Sequence, residues 1–309
     1  MIYSFIKPGT DVNSNEDTLY LDVGNKLCVG IIDHHQLKNI KKSATRLVFD
    51  NSDFIPKNLE NIILHNSPDL DCVASSYLAN YYFQFKEFPT FAKELCDFLD
   101  KSDFGLELEN KINLSSLFTI IKSKAKDDSE IVNLGHKLIE DLSEKGFDIS
   151  NYPHNYSEYR DEIERDINIF DKDLVNSKTI ISKLFNRYSK NHEEVEGLIL
   201  NNPKSKLFKY WARDEGYDLL IVQWNKKRIV ISLKGDSFYT LEKLGNELNK
   251  LESQKREELN ILLNEENRDG YNIPDPWYDG RAHEYTIIDS PRRGTELALK
   301  EVINILNRM

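Results

Sequence analysis

The chain has 309 residues, of which 39% are apolar and 30% charged, with a formal net charge of −11. This length predicts two domains. No apolar run reaches the roughly 20 residues that span a bilayer, and the acidity argues against a dedicated binder of long duplex nucleic acid, which works through a basic surface.

The segment from Met1 to Pro8 has neither a basic start nor a long apolar stretch, so no secretory signal is expected. Cys28, Cys72 and Cys96 are odd in number, widely spaced and without a CxxC pair. They predict reduced core residues in a cytoplasmic protein, with no disulfide framework and no zinc–thiolate site.

Residues 1 to about 105 alternate between strand and helix signals. Thr18 to Asp22 and Leu27 to Ile32 are short apolar runs separated by the turn residues Val23-Gly24-Asn25-Lys26. Asn61 to His65 is a third run. After Pro68, the stretch Cys72 to Ala79 has helical apolar spacing. Strand, turn and helix repeat as in a mainly parallel α/β sheet, where ligands gather at the carboxyl ends of strands. Residues 106 to 200 read as mostly helical, with Leu134, Leu138 and Leu142 on one face and Ile163, Ile167 and Phe170 on another. From Tyr217 a second α/β pattern begins. Two strands, 217–222 and 228–233, precede a helix from about Thr240 to Leu262, a Gly/Pro/Asp-rich loop, a strand at 284–288 and a final helix at 295–307. The expected division is 1–150 for the first domain, 151–205 for a helical connector and 206–309 for a second, smaller α/β domain.

Three segments concentrate carboxylates and imidazoles. They are Asp22-Val23-Gly24 followed by Asp33-His34-His35, then His65-Asn66-Ser67-Pro68-Asp69-Leu70-Asp71, then Asp100-Lys101-Ser102-Asp103-Phe104-Gly105. Singly, each has a plain explanation as a turn, a helix cap or a surface pair. Jointly they supply what two divalent ions about 3.5–4 Å apart need, mixed imidazole and carboxylate ligands with one bridging carboxylate.

Asp33-His34-His35 resembles the signature of the DHH phosphoesterase superfamily. His65-x-x-x-Asp69-x-Asp71, with Pro68 before it and Ser75 after it, is similar to that superfamily's HxxxDxD motif. Asp22 resembles the Asp that precedes DHH, and Asp103-Phe104-Gly105 a DTG-like motif. The motifs span residues 22 to 105, about a third of the chain. Their order departs from the pattern, since most members carry HxxxDxD first, which suggests a circular permutation. The resemblance implies a DHH-like core, a DHHA-like second domain and two divalent ions, manganese before magnesium. His65 and Asp69 would hold one ion; Asp71, His34 and either Asp100 or Asp103 the other; Asp22 would bridge. His35 would face the substrate phosphate, and Asp33 would orient the imidazoles.

The glycine-rich motif usual in DHHA domains is missing. Arg281, His283, Arg292 and Arg293 are the candidates for holding a phosphate, Arg281 foremost, with Lys234 and Arg46 behind them. Arg292 to Thr295 would also offer free amides at a helix start, and Trp277 or Tyr278 could stack a base. The alternative is a rigid turn with Trp277 in the core and surface arginines. The implied activity is hydrolysis of a small phosphorylated substrate, a nucleotide or short oligonucleotide first and pyrophosphate or polyphosphate second. A non-catalytic metal- and phosphate-binding module is the other class. Membrane association and long-duplex binding are not expected, and homodimerisation is left open.

Overall fold

The computed structural model describes residues 1–35, 42–103, 112–144, 146–147, 157–234, 237–263, 271, 273–280 and 285–308. The chain is mixed α/β and divides into two compact units, Met1–Glu164 and Arg165–Met309. None of its described helices is long and apolar enough to cross a membrane.

The first unit begins with strands β1 (Ile2–Ile6), β2 (Thr18–Leu21), β3 (Leu27–Cys28) and β4 (Ile31–Ile32), helix α1 (Ala44–Asp50) and strand β5 (Asn61–His65). Helices α2 (Leu70–Phe85), α3 (Ala92–Asp103), α4 (Leu114–Lys122) and α5 (Asp128–Ser143) follow. The sheet order is β1-β5-β2-β4-β3, parallel except for β3. Leu19, Leu21, Ile32, Ile62 and Leu64 are all fully buried, as the strands of a covered parallel sheet require. The expected single run from Leu27 to Ile32 is instead two short antiparallel strands that fold back at Val29-Gly30.

Helix α2 is buried along its whole amino-terminal half, Leu70 through Ala79. It packs on α1, α3 and α5 and touches β2 and β5. Asp69 caps it, accepting from the Cys72 amide at 3.0 Å. Gly135 of α5 lets the helices approach closely, since a Cβ there would lie 2.6 Å from Val73 Cγ1 and 2.9 Å from a Phe118 ring carbon.

Helix α6 (Ser157–Val175) runs across the boundary at residue 164. The second unit then contains β6 (Lys178–Asn186), β7 (His192–Asn201), α7 (Phe208–Asp214), β8 (Leu219–Asn225), β9 (Arg228–Leu233), β10 (Tyr239–Thr240), α8 (Glu242–Glu258), β11 (Ile287–Asp289) and α9 (Leu299–Leu306). The sheet order is β10-β6-β7-β8-β9-β11, with only β7 and β8 parallel.

The helical connector expected over 151–205 is therefore corrected. Residues 178–201 form a long hairpin inside the second sheet, and that sheet has more strands than the first. Ser182, Leu184, Val195 and Ile199 are buried while Lys183, Glu194 and Glu196 alternate with them in the open. This is the period-two pattern of a strand pair.

The core of this unit joins the sheet to α8 and α9 through Leu241, Leu244, Leu248, Trp277, Val302 and Leu306. Glu252, fully buried, accepts from Trp277 Nε1 (3.1 Å), the Glu296 amide (3.0 Å) and Thr295 Oγ1, and pairs with Arg256 Nε at 3.1 Å.

Candidate metal centre

Strands β5, β2 and β4 lie side by side and run the same way. Their carboxyl ends deliver His65, Asp22 and Asp33-His34 to one edge of the first sheet. The Asp22 amide donates to the Ile32 carbonyl at 3.0 Å, which holds the two strand ends together. Asp22 itself has a φ of 56°, a left-handed conformation that Asp tolerates better than most residues. This bend turns the side chain back over the strand ends. Gly24 completes the turn at a φ of 113°, where a Cβ would meet Val12 Cγ2 at 2.7 Å.

The two Asp22 oxygens face different imidazoles. Oδ1 lies 3.2 Å from His34 Nε2 and 3.4 Å from His35 Nδ1, while Oδ2 lies 3.4 Å from His65 Nε2. His65 Nε2 is also 3.6 Å from Asp69 Oδ2. His34 stands 4.0 Å from Asp71 Oδ2 through Nε2 and 3.8 Å from Asp103 Oδ2 through Nδ1. Asp22 Oδ1 and Asp103 Oδ2 are buried oxygens without a hydrogen-bond partner. A buried carboxylate oxygen without a hydrogen bond needs a neighbouring positive charge; for Asp22 Oδ1 the imidazoles of His34 and His35 supply it when protonated, and a metal cation would supply it when they are not. The donor sets Asp22/His34/His35, Asp22/His65/Cys72 and His34/Asp71/Asp103 each gather their ligand atoms within 4.8 Å of one another, close enough to hold a metal ion.

Asp71 is fixed by the start of α1. Its carboxylate accepts from the Ala44 amide (2.6 Å), the Thr45 amide (2.9 Å) and Thr45 Oγ1 (2.6 Å). Asp33 takes a supporting place. Its Oδ2 accepts from the Asn25 amide at 2.7 Å and its Oδ1 lies 2.7 Å from His35 Nδ1, so it sets the orientation of that ring. The His35 side chain is 40% exposed and open to solvent.

Charge is strongly coupled here. Burial pushes the Asp22 carboxyl up, but His35, His34 and His65 around it outweigh burial and hold it well below the usual range. Burial opposes charge on His34, yet Asp22, Asp71 and Asp103 raise it from 6.5 to about 11. His35 rises to about 9 against the same opposition, through Asp22 and Asp33. Asp71 is raised from 3.8 to about 7 by burial and then by Asp22. Burial and Asp71 push Asp103 well up. Without an ion, the centre therefore keeps protons that a divalent cation would replace.

Asp100 does not join the centre. It accepts from the Ser43 amide (2.9 Å), Ser43 Oγ (2.8 Å) and Arg46 Nε (2.9 Å), anchoring α1 to α3, so of the two open candidates Asp103 is the one beside His34. Arg46 is engaged by Asp100 and Asp97 rather than free for a phosphate.

In the second unit, Trp277 is 0% exposed in the core and cannot stack a base. The Arg292 and Arg293 amides donate to Asp275 at 2.7 and 3.0 Å, so they are not free for an anion, and α9 begins only at Leu299. Both arginine residues are exposed. Arg281 and His283 lie outside the described residues.

Two residues near the centre escape the sequence reading. Cys72, read as plain core, sits in the first turn of α2 against His65 and Asp22. Lys122 donates to the Ser67 carbonyl at 2.8 Å and feels the charge of Asp69. The adjacency of Cys72 to Asp71 is a signal for the first; only the tertiary fold brings Lys122 near. No known protein family matches this chain, and no characterised sequence is significantly similar to it.

Proposed function

We propose that this chain is a divalent-metal-dependent phosphohydrolase with a DHH-like core, acting on a small phosphorylated substrate. The observation that carries this reading is Asp22. It is buried at the meeting point of three parallel strands, turns one oxygen to His34 and the other to His65, and has an oxygen with no hydrogen bond. That is the arrangement of a carboxylate shared by two ions. Two divalent ions held by these residues would supply the charge to bind a phosphoryl group and to lower the pKa of an attacking water.

The chain's own residues would divide the work. His65 and Asp69 hold one side, His34, Asp71 and Asp103 the other. His35, ordered by Asp33 and open to solvent, is placed to donate to a phosphate oxygen or to a leaving group. Lys122 adds a cation beside the exposed Asp69. A DHHA-like role for the second unit, with phosphate contacts from Arg281, His283, Arg292 or Arg293, belongs to the same proposal. A nucleotide or short oligonucleotide remains the first substrate class. The burial of Trp277 removes one stacking surface and favours the second reading, pyrophosphate or polyphosphate hydrolysis.

Metal-stripped protein supplied with manganese or magnesium tests this against pyrophosphate, bis-para-nitrophenyl phosphate, a dinucleotide, a cyclic dinucleotide and a short single strand, with Asp22→Asn beside it. Hydrolysis that Asp22→Asn abolishes supports the reading and names the branch. Ion binding without hydrolysis of any member would favour a metal- and phosphate-binding module instead.

A further inference from the structure

We propose that Cys72 is a thiolate ligand of the ion held by His65 and Asp22, so that this half of the centre takes a borderline ion, zinc, cobalt or ferrous iron, in preference to manganese. The inference rests on the two-ion reading above and refines it.

The Cys72 sulfur, a His65 ring nitrogen and an Asp22 carboxylate oxygen lie within 4.8 Å of one another, and all three residues are buried. Ligands around one tetrahedral ion, with metal–sulfur and metal–nitrogen bonds of about 2.3 and 2.0 Å, sit roughly 3.3–3.7 Å apart. A contraction of at most about 1.5 Å closes the set. Asp22, 3% exposed, reaches this cluster through Oδ2, which lies 3.4 Å from His65 Nε2, while Oδ1, the oxygen without a hydrogen bond, turns to His34 and His35 on the other side of the centre.

The place of Cys72 in the chain favours a bound thiolate. It is in the first turn of the 16-residue α2, immediately after Asp71, where the positive end of the helix favours negative charge on sulfur; burial outweighs this and pushes the thiol up to about 12 in the ion-free fold, so the thiolate depends on the ion itself. Its present contact, Sγ to the Leu21 carbonyl at 3.9 Å, is weak and easily given up. Coordination replaces the S–H bond with a sulfur–metal bond and releases the proton to solvent. A thiolate, the Asp69 carboxylate, a share of the Asp22 carboxylate and a neutral imidazole would then face the two positive charges of the ion.

The other half of the centre is different in kind. His34, Asp71 and Asp103 offer nitrogen and oxygen only, which suits manganese or magnesium. The thiolate makes the two positions chemically unequal.

Cobalt titration of the metal-stripped full chain tests this. The wild type should develop visible d–d bands and, with them, a near-ultraviolet sulfur-to-cobalt charge-transfer band. Cys72→Ser should lose the charge-transfer band and keep the visible bands, whereas Cys28→Ser and Cys96→Ser should keep both. Should Cys72→Ser fail to fold, zinc-edge absorption of the wild type decides, with a sulfur shell at about 2.3 Å supporting the assignment. A shell of nitrogen and oxygen alone overturns it. Visible bands with no charge-transfer band, or a band that survives Cys72→Ser, overturn the cysteine assignment and leave the two-ion reading standing. No uptake of cobalt or zinc at all would overturn both.

Discussion

At the scale of single residues the candidate centre is a cluster of coupled carboxylates and imidazoles that could exchange protons for a cation. His34 and His35 rise from 6.5 to about 11 and about 9, so in the ion-free fold they keep protons that the unfolded chain gives up. Their contribution to stability is complete below pH 6.5 and is lost as the pH rises through about 9 and then about 11. Asp71, raised from 3.8 to about 7, acts in the same direction over a lower window, its contribution gone above about pH 7. Asp22, held below 3.8, opposes them only in acid. A divalent ion must displace these protons, so its affinity rises with pH. Thermal unfolding in chelator should therefore fall from about pH 5 to about pH 9, while the increment given by saturating divalent ion grows. A flat increment would show that no ion displaces protons from His34 and Asp71. Asp33 predicts a separable effect, because it holds His35 through both the ring Nδ1 and the amide. Asp33→Asn should lower turnover about 10–100-fold while ion affinity stays within about threefold. An equal loss of both would make Asp33 a ligand.

At the scale of elements, α3 presents Asp100 and Asp103 on neighbouring turns with opposite duties. Asp100 satisfies the buried Ser43 and the Arg46 guanidinium, so Asp100→Ala should cost about 1–3 kcal/mol while ion stoichiometry stays unchanged. Asp103 is pushed up by burial and by Asp71, and its Oδ2, 3.8 Å from His34, has no hydrogen bond, so Asp103→Ala should raise the melting temperature of the ion-free protein and lose one bound ion. Calorimetry with metal titration reads both, and a stoichiometry that falls with Asp100→Ala would reverse the assignment. Spacing along the chain could not separate the two, because only the packing of α3 on α1 decides which carboxylate is consumed. Gly135 makes a second point about packing. Ala is the better helix former by about 1 kcal/mol, but its Cβ would press on Val73 and Phe118. Gly135→Ala should therefore destabilise the chain by about 1–3 kcal/mol. A gain in stability would mean that α2, α4 and α5 pack more loosely than described. The elements legible in the sequence were those with one dominant signal, such as β5 with its apolar centre Ile62-Ile63-Leu64 and the helical face of α5. The hairpin β6–β7 was not, because Lys183, Glu194 and Glu196 break its apolar runs and resemble a solvated helix. The short pair β3–β4 was read as one strand because nothing polar marks the fold-back at Val29-Gly30.

At the scale of the whole molecule, the residues of the centre were legible before the fold because neighbouring parallel strands end in carboxylates and imidazoles, and such ends meet whatever their order in the chain. Legibility stopped where the argument needed packing: at Trp277, whose position in the core depends on the buried Glu252 that accepts its indole N–H, and at Cys72, whose burial among core residues hides its approach to His65. The two units also differ in what should stabilise them. Every residue of the candidate centre lies within 1–164, and the Glu252–Arg256–Trp277 network lies within 165–309. A ligand that binds only the folded state stabilises the cooperative unit that contains its site, and chains of more than one domain commonly unfold in more than one step. Scanning calorimetry should then resolve two transitions. Saturating divalent ion should raise the one that Gly135→Ala lowers. It should leave in place the one lowered by Glu252→Ala, a change that removes the nearer carboxylate of the buried Arg256, which keeps Asp275 at 3.9 Å, and leaves the Trp277 indole N–H without its acceptor, at a cost of about 1–3 kcal/mol. If the ion raises both transitions together, or a single transition holds both variants, the centre is coupled to the fold of the entire chain, and its ions are then part of what holds residues 165–309 in place.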